Sequence, residues 1–393
     1  MVWRELDKGV RNYLWLYSIS GFSFSAVIAV PSFGKLMNIS IENVGWLFSF
    51  SYIVQAVLTY VLGKKFEQFS TNYGLFLAKI SFALGSLLFA LCNGLWLFAI
   101  AQMLLSFTDV FYPCQVMYER ALFPPKYRET LYSYLFFATE STKAISYALF
   151  VFVLSPFMGG KTFLKAVFVM IFLLNFFYAF SYLKILPKIQ SGLVLHKGQV
   201  IATTNFRAFF SIMLHQYLSY VAFNFSGFLV ISYYLIDYFK LSSSSPFLFE
   251  MVFSASVALS WFWRKRIRTK AHINLMIGNF LILSTFLLWV IPNVYVFFIS
   301  HILMGIGFIL WFPAKETIKI QIAPRELGRW EGFFQGLNIF SRIFTPVLSA
   351  YVAMALGYQQ VFLISSIFSA FALLASLPAA TWIRKFAYQS KVD

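Results

Sequence analysis

Two stretches decide the fold: Leu95–Arg128, LWLFAIAQMLLSFTDVFYPCQVMYERALFPPKYR, and Tyr295–Gly328, YVFFISHILMGIGFILWFPAKETIKIQIAPRELG. Each is a long apolar run interrupted by an aromatic-proline pair, Tyr112-Pro113 in one and Phe312-Pro313 in the other. Each closes on a second proline, Pro124 or Pro324, with a basic residue, Lys126 or Arg325, within two positions of it. The match holds at a constant offset of about 200 residues. At the same offset Lys64-Lys65 answers to Arg264-Lys265 and Leu75 to Leu275. A bilayer-spanning helix needs roughly 20 apolar residues, so these are membrane spans, and the chain is a duplicated bundle of them.

Composition agrees. Of 393 residues 60% are hydrophobic and 11% charged, with 50 Phe, 22 Tyr and 10 Trp. Soluble chains carry roughly a quarter charged residues, which leaves no room for a sizeable domain in water. Apolar runs between polar breaks predict twelve helices, near 11–33, 41–63, 73–92, 95–119, 131–155, 162–186, 206–233, 244–262, 272–291, 294–316, 331–357 and 358–383. The first run follows a basic start but is too long for the core of a cleaved leader, so it is expected to be a span. Cys92 and Cys114 lie in apolar stretches, and the four histidines have no metal-ligand spacing. No disulfide framework, metal or cofactor is expected.

The net charge of +17 is a matter of placement. Of the 31 Lys and Arg, 24 fall on the N-terminus, the even loops and the C-terminus, and four (Lys35, Lys161, Lys165, Lys240) on the opposite side. By the positive-inside rule both termini are cytoplasmic in a multi-pass protein of the cell membrane. Nucleic acid is not needed to explain the excess. The polar interruption at 187–205 reads as a linker between six-helix halves at 1–186 and 206–393. Parallel duplication about an axis along the membrane normal is how one class of secondary transporter builds a cavity opening to alternate sides. A purely structural duplicated bundle is the rival reading.

With Gly63-Lys64-Lys65-Phe66-Glu67 after span two, Phe123-Pro124-Pro125-Lys126-Tyr127-Arg128 after span four, and Met304-Gly305-Ile306-Gly307 leading to Pro313, the chain resembles the major facilitator superfamily over essentially its whole length. It departs from that family at Gln68, Ser70, Thr71 and Asn72, and where the family has Arg and Gly in span four it has Gln102 and Ser106. Ser155-Pro156-Phe157-Met158-Gly159-Gly160 is similar to the family's antiporter motif. However, Pro156 stands 28 residues after Arg128, whereas Pro346 stands 17 after Arg329, so this piece reads as a turn. The resemblance implies all-α six-helix bundles related by pseudo-twofold symmetry, with spans one, four, seven and ten lining the cavity. There Tyr17, Ser20, Ser23, Gln115, His215, Gln216, Asn224 and His301 are candidates, with Gln335 and Asn338 from span eleven.

Charges at bilayer depth cost about 2.5–3.5 kcal/mol on insertion scales, so those retained mark candidate sites. Lys143 lies midway along span five with Glu140 one turn before it, and Arg342 lies at nearly the matching place in span eleven. Asp109 is midway along span four. This set is expected to grip an anionic substrate between Lys143 and Arg342, with Asp109 and Glu140 holding the cations when the site is empty. The alternative is that these groups pair only to make burial tolerable. Gly63, Glu67, Glu119, Arg120, Arg128, Glu316, Arg325, Arg329 and Glu331 sit at cytoplasmic helix ends, where a gate of breakable ion pairs is expected. Lys79 and Arg384 are expected to snorkel.

These features predict a monomeric secondary active transporter for a small anionic or zwitterionic organic solute, with a proton or sodium ion left open as co-transported partner. No Gly-rich phosphate loop offers an ATP site. Export of amphiphiles through an aromatic cavity is the alternative. An intramembrane enzyme using Asp109 or Glu140 is the third reading, and it lacks a paired nucleophile and base.

Overall fold

A computed structural model describes residues 5–66, 71–124, 127–189, 206–264, 270–322 and 327–389. Among them there are helices and no strands. Twelve helices are long and apolar enough to cross a membrane: Lys8–Leu36, Ile41–Thr59, Thr71–Leu91, Leu95–Glu119, Thr130–Leu154, Gly160–Lys184, Phe206–Tyr238, Ser245–Trp263, Ala271–Trp289, Val294–Lys319, Gly336–Leu356 and Tyr358–Trp382. They are spans one to twelve below. The protein is a multi-pass membrane protein. Trp96 and Tyr295, each the second residue of its helix in spans four and ten, are 84% and 77% exposed. Aromatic side chains that stay bare at helix ends suit the interfacial belt of a bilayer.

Several spans are not uniform α-helix, and the sequence explains where they give way. In span four the α-helix Leu95–Ser106 passes through a 3-10 turn, Phe107–Phe111, before resuming at Tyr112–Leu122. Pro113 has no N–H to give the carbonyl four residues back. The Tyr112 N–H takes that Asp109 carbonyl instead, in the tighter i+3 pattern. Span one breaks likewise at Ser20–Phe24, where Gly21 presses on span five. A Cβ there would lie 2.1 Å from Thr142 Oγ1 and 2.5 Å from the Thr139 carbonyl oxygen. Thr142 in turn donates to the Ser18 carbonyl at 2.5 Å. Spans five and seven each end in a wide π-helical turn, Leu149–Leu154 and Tyr234–Tyr238. Ser155-Pro156-Phe157 then forms the turn into span six, whose first residue, Gly160, has φ +57°.

The chain divides into two compact units, Met1–Lys197 with Ile231–Met251, and Gly198–Val230 with Val252–Asp393. In the first, Phe89 stacks on Phe168 at 4.9 Å and meets Phe98 edge-on at 5.0 Å. The segment Ile231–Met251 is anchored to spans one and five. Tyr233 donates to the Ile39 carbonyl at 2.7 Å, Lys35 pairs with Asp237 at 2.9 Å, and Ser155 donates to Ser244 at 3.1 Å. Phe247 is seated among Tyr147, Phe150 and Phe163. In the second unit spans nine and ten touch through glycine. A Cβ on Gly278 would fall 2.7 Å from both the backbone nitrogen and the Cβ of Trp311. That close approach brings Trp311 into a cluster with Phe223 and Phe308.

Candidate functional site

The first unit holds a polar cavity among spans one, three, four and six. It is lined by Tyr13, Tyr17, Lys79, Asp109, Gln115 and Tyr182, with Leu75, Ala78, Thr108, Phe111 and Tyr112 completing the wall. Asp109, in the 3-10 turn that precedes Pro113, is part of this lining. Thr108 donates to the Ala78 carbonyl at 3.1 Å. One helical turn beyond Gln115 lies Glu119, 6% exposed, which accepts hydrogen bonds from Tyr13 at 2.5 Å and Gln115 at 2.9 Å. Two sequence expectations change here. Lys79 lines this cavity beside Asp109, where it was expected to snorkel to the membrane surface. Glu119, expected among the gate charges at helix ends, does close its span but is buried there as an acceptor inside the unit.

A second cluster in the same unit surrounds Lys143. Its ammonium is 2.7 Å from Glu140 Oε1 and 4.2 Å from the ring centre of Phe24 in span one. Both partners are largely buried, with side chains 16% and 5% exposed. Glu250 of span eight, 8% exposed, lies within electrostatic reach of both Lys143 and Glu140, and Tyr147 within reach of both acids. Sequence reading passed over Glu250. A lone acid inside an apolar span was visible, but nothing local places the first turns of span eight against span five.

In the second unit the structure draws attention to span ten. Lys315, with no side-chain exposure, is 2.9 Å from Glu316, and Lys319 is 2.7 Å from the same carboxylate. The Lys315 ammonium also lies over Trp311 at 4.8 Å, Phe312 at 5.1 Å and Tyr220 at 5.3 Å. It makes no hydrogen bond within the described residues. The helix runs past residue 316, where the apolar run ends in the sequence. Both lysines lie on the helix Val294–Ile322, buried. At the offset of 200 they stand where the first half has Gln115 and Glu119.

The remaining candidates divide by what holds them. Trp311 donates to His215 Nε2 at 2.8 Å, while Nδ1 is 2.9 Å from the Ala372 carbonyl. One tautomer, Nδ1–H, satisfies both contacts. His301 contacts the Phe297 carbonyl at 2.7 Å and stacks on Trp289 at 5.1 Å. Asn224 donates to Ser341 at 3.1 Å, which ties span seven to span eleven next to Arg342. Gln216 and Asn338 each bury a side-chain carbonyl oxygen with no hydrogen-bond partner among the described residues. Arg342 is half-buried and Tyr17 lines the cavity described above. Of the expected gate, Gly63, Arg120, Arg128 and Arg329 are described only as helix positions, and Glu67 lies outside the described residues. No group of His, Cys, Asp and Glu among the described residues has a metal-binding arrangement.

No protein-family model and no curated protein matches the chain. Solved structures do. A bacterial homolog of the human lysosomal transporter Spinster, in an inward-facing and occupied conformation, aligns with TM-score 0.65 and 13% identity over 95% of this chain and 96% of that one. A bacterial homologue of the iron transporter ferroportin, inward-facing, gives 0.62 and 14% over 95% and 98%. A POT family transporter in complex with a thioalcohol-conjugated peptide gives 0.67 and 11% over 98% and 99%. Likeness at these identities speaks to architecture, and the chain has the all-helical fold that these transporters share.

Proposed function

We propose that the chain is a secondary active transporter, not an enzyme, which moves a small organic solute across the cell membrane by alternating access. Anionic or zwitterionic solutes are the favoured class. The fold supports the first part. The observation that carries the second is Lys315, a fully buried ammonium that shares one carboxylate with Lys319 and is otherwise enclosed by aromatic rings. An ammonium that shares its counter-ion is costly to hold in a low-dielectric interior, and a solute carboxylate or phosphate would add to the charge that balances it. Arg342 is the second cation on this reading, with Gln216, Asn224 and Asn338 as amides for the rest of the solute. In the first unit, taken by itself, Tyr17, Asp109 and Gln115 face a cavity, and Glu140 and Lys143 carry both signs of charge. The even halves 1–186 and 206–393, joined by a cytoplasmic 187–205 linker, remain the proposed working plan, with the helix-end residues Gly63, Glu67, Arg120, Arg128 and Arg329 as the gate.

The test is counterflow in proteoliposomes with labelled monocarboxylates, amino acids and dipeptides. The parent is expected to exchange at least one class, and Lys315→Gln and Arg342→Gln to lose most of it. Full exchange by both variants would remove the anion reading. Exchange of hydrophobic cations alone would favour an amphiphile exporter.

A further inference from the structure

The charges around Lys143 do not balance. One ammonium faces two carboxylates, Glu140 and Glu250, on two helices of the same unit. Glu250 is more than nine-tenths buried and makes no hydrogen bond or ion pair among the described residues. Its charged neighbours are Lys143 and Glu140, with Tyr147 as the titratable hydroxyl close by. Lys143 is already committed to Glu140 at 2.7 Å. An acid left over inside a membrane bundle needs a positive charge, and among the described residues Glu250 forms no ion pair of its own.

We propose that Glu250, with Glu140 and Lys143, binds one monovalent cation, a proton or Na+. Granting the transport reading, this is where the driving ion is taken up. The cluster is built for such a role. Glu140 and Lys143 share one face of span five, held against span one by the Gly21 contact and the Thr142 bond to Ser18. Glu250 comes from the Ile231–Met251 segment, which is anchored to spans one and five through Tyr233, Asp237 and Ser244. A bound cation cancels the repulsion between the two acids and leaves the Lys143–Glu140 pair intact. When the cation departs, Lys143 must serve both carboxylates, and the first turns of span eight are pulled toward span five. Ion occupancy is thereby converted into a force on one helix.

The experiment needs no solute. The thermal-unfolding midpoint of the purified full chain is measured across a pH series in choline chloride, and across a NaCl series at fixed pH with choline as balance. The same is done for Glu250→Gln and Glu250→Asp. A ligand that binds only the folded state raises the midpoint with its concentration. If the ion is Na+, the parent gains several degrees with NaCl and Glu250→Gln does not. If it is a proton, the parent gains as pH falls, independently of NaCl, and Glu250→Gln loses that part of the gain. In both cases Glu250→Asp retains a weakened response. A parent that responds to neither ion overturns the proposal, as does a response that survives intact in Glu250→Gln. Should the glutamine variant fail to fold, the parent and Glu250→Asp series still decide, since an aspartate response identical to the parent's would also count against the site. Absence of counterflow in the parent would sink the transport reading while leaving this binding result standing.

Discussion

At the scale of single residues, burial determines which charges matter. Lys143 was legible in the sequence because a lysine midway along an apolar run stands out. Lys315 was not, because it falls in the last turn of the span read as 294–316, and only the fold reveals that the helix continues past it to Ile322. Removing one partner of a buried pair is costly because the other charge is left alone. Lys143→Met is therefore expected to destabilise the protein by about 3 kcal/mol, and adding Glu140→Gln to recover part of the loss. A thermal-unfolding double-mutant cycle checks this; simple additivity would mean that the pair at 2.7 Å carries no coupling. Trp311→Phe keeps an aromatic side chain but removes the indole N–H and leaves His215 Nε2 buried without its donor. A loss of roughly 1–3 kcal/mol is expected from the unsatisfied acceptor, read as a lower unfolding midpoint.

At the scale of helices, the twelve apolar runs were legible to within a few residues because hydrocarbon thickness dictates their length. The interruptions inside them were not. Pro113 signals a weak point in span four, but the position of the 3-10 turn depends on how Asp109 and Thr108 meet span three. Close helix contacts also escape pattern reading. Gly278→Val places a branched side chain where even a Cβ would strike the backbone of span ten, and folded protein is expected to be lost, as measured by the monodisperse fraction after detergent extraction. Exposed pairs should behave differently. Lys35 and Asp237 are 30% and 40% exposed, and pairs of this kind are worth about 0–1 kcal/mol. Asp237→Asn is expected to leave the unfolding midpoint nearly unchanged, and less changed still at high salt.

At the scale of the molecule, the duplicated layout and the uneven basic loops predict sidedness. Single cysteines placed at Lys161 or Lys240 are expected to react with an impermeant thiol reagent added outside intact cells, and a cysteine at Lys270 only after permeabilisation. The reverse pattern would invert the topology. The native thiols, Cys92 and Cys114, are 1% and 0% exposed and should contribute little background. Composition and repeat thus made the architecture readable, because the bilayer and the offset of 200 constrain the whole chain at once. The candidate site was only half readable. Glu140, Lys143 and Asp109 announced themselves as charges in apolar runs, whereas Glu250 acquires its meaning from a helix more than a hundred residues away in sequence.

The wide turns that close spans five and seven have an evolutionary corollary. A π-turn holds one residue more than the α-helix needs for the same advance. Deleting a single residue within Leu149–Leu154 should tighten that turn to α-geometry while the faces of the helix on either side keep their orientation. The same deletion in the middle of span five would rotate every following side chain by roughly 100°. Length variation among descendants of this sequence should therefore concentrate at these two places, which act as spare thread in an otherwise fixed weave.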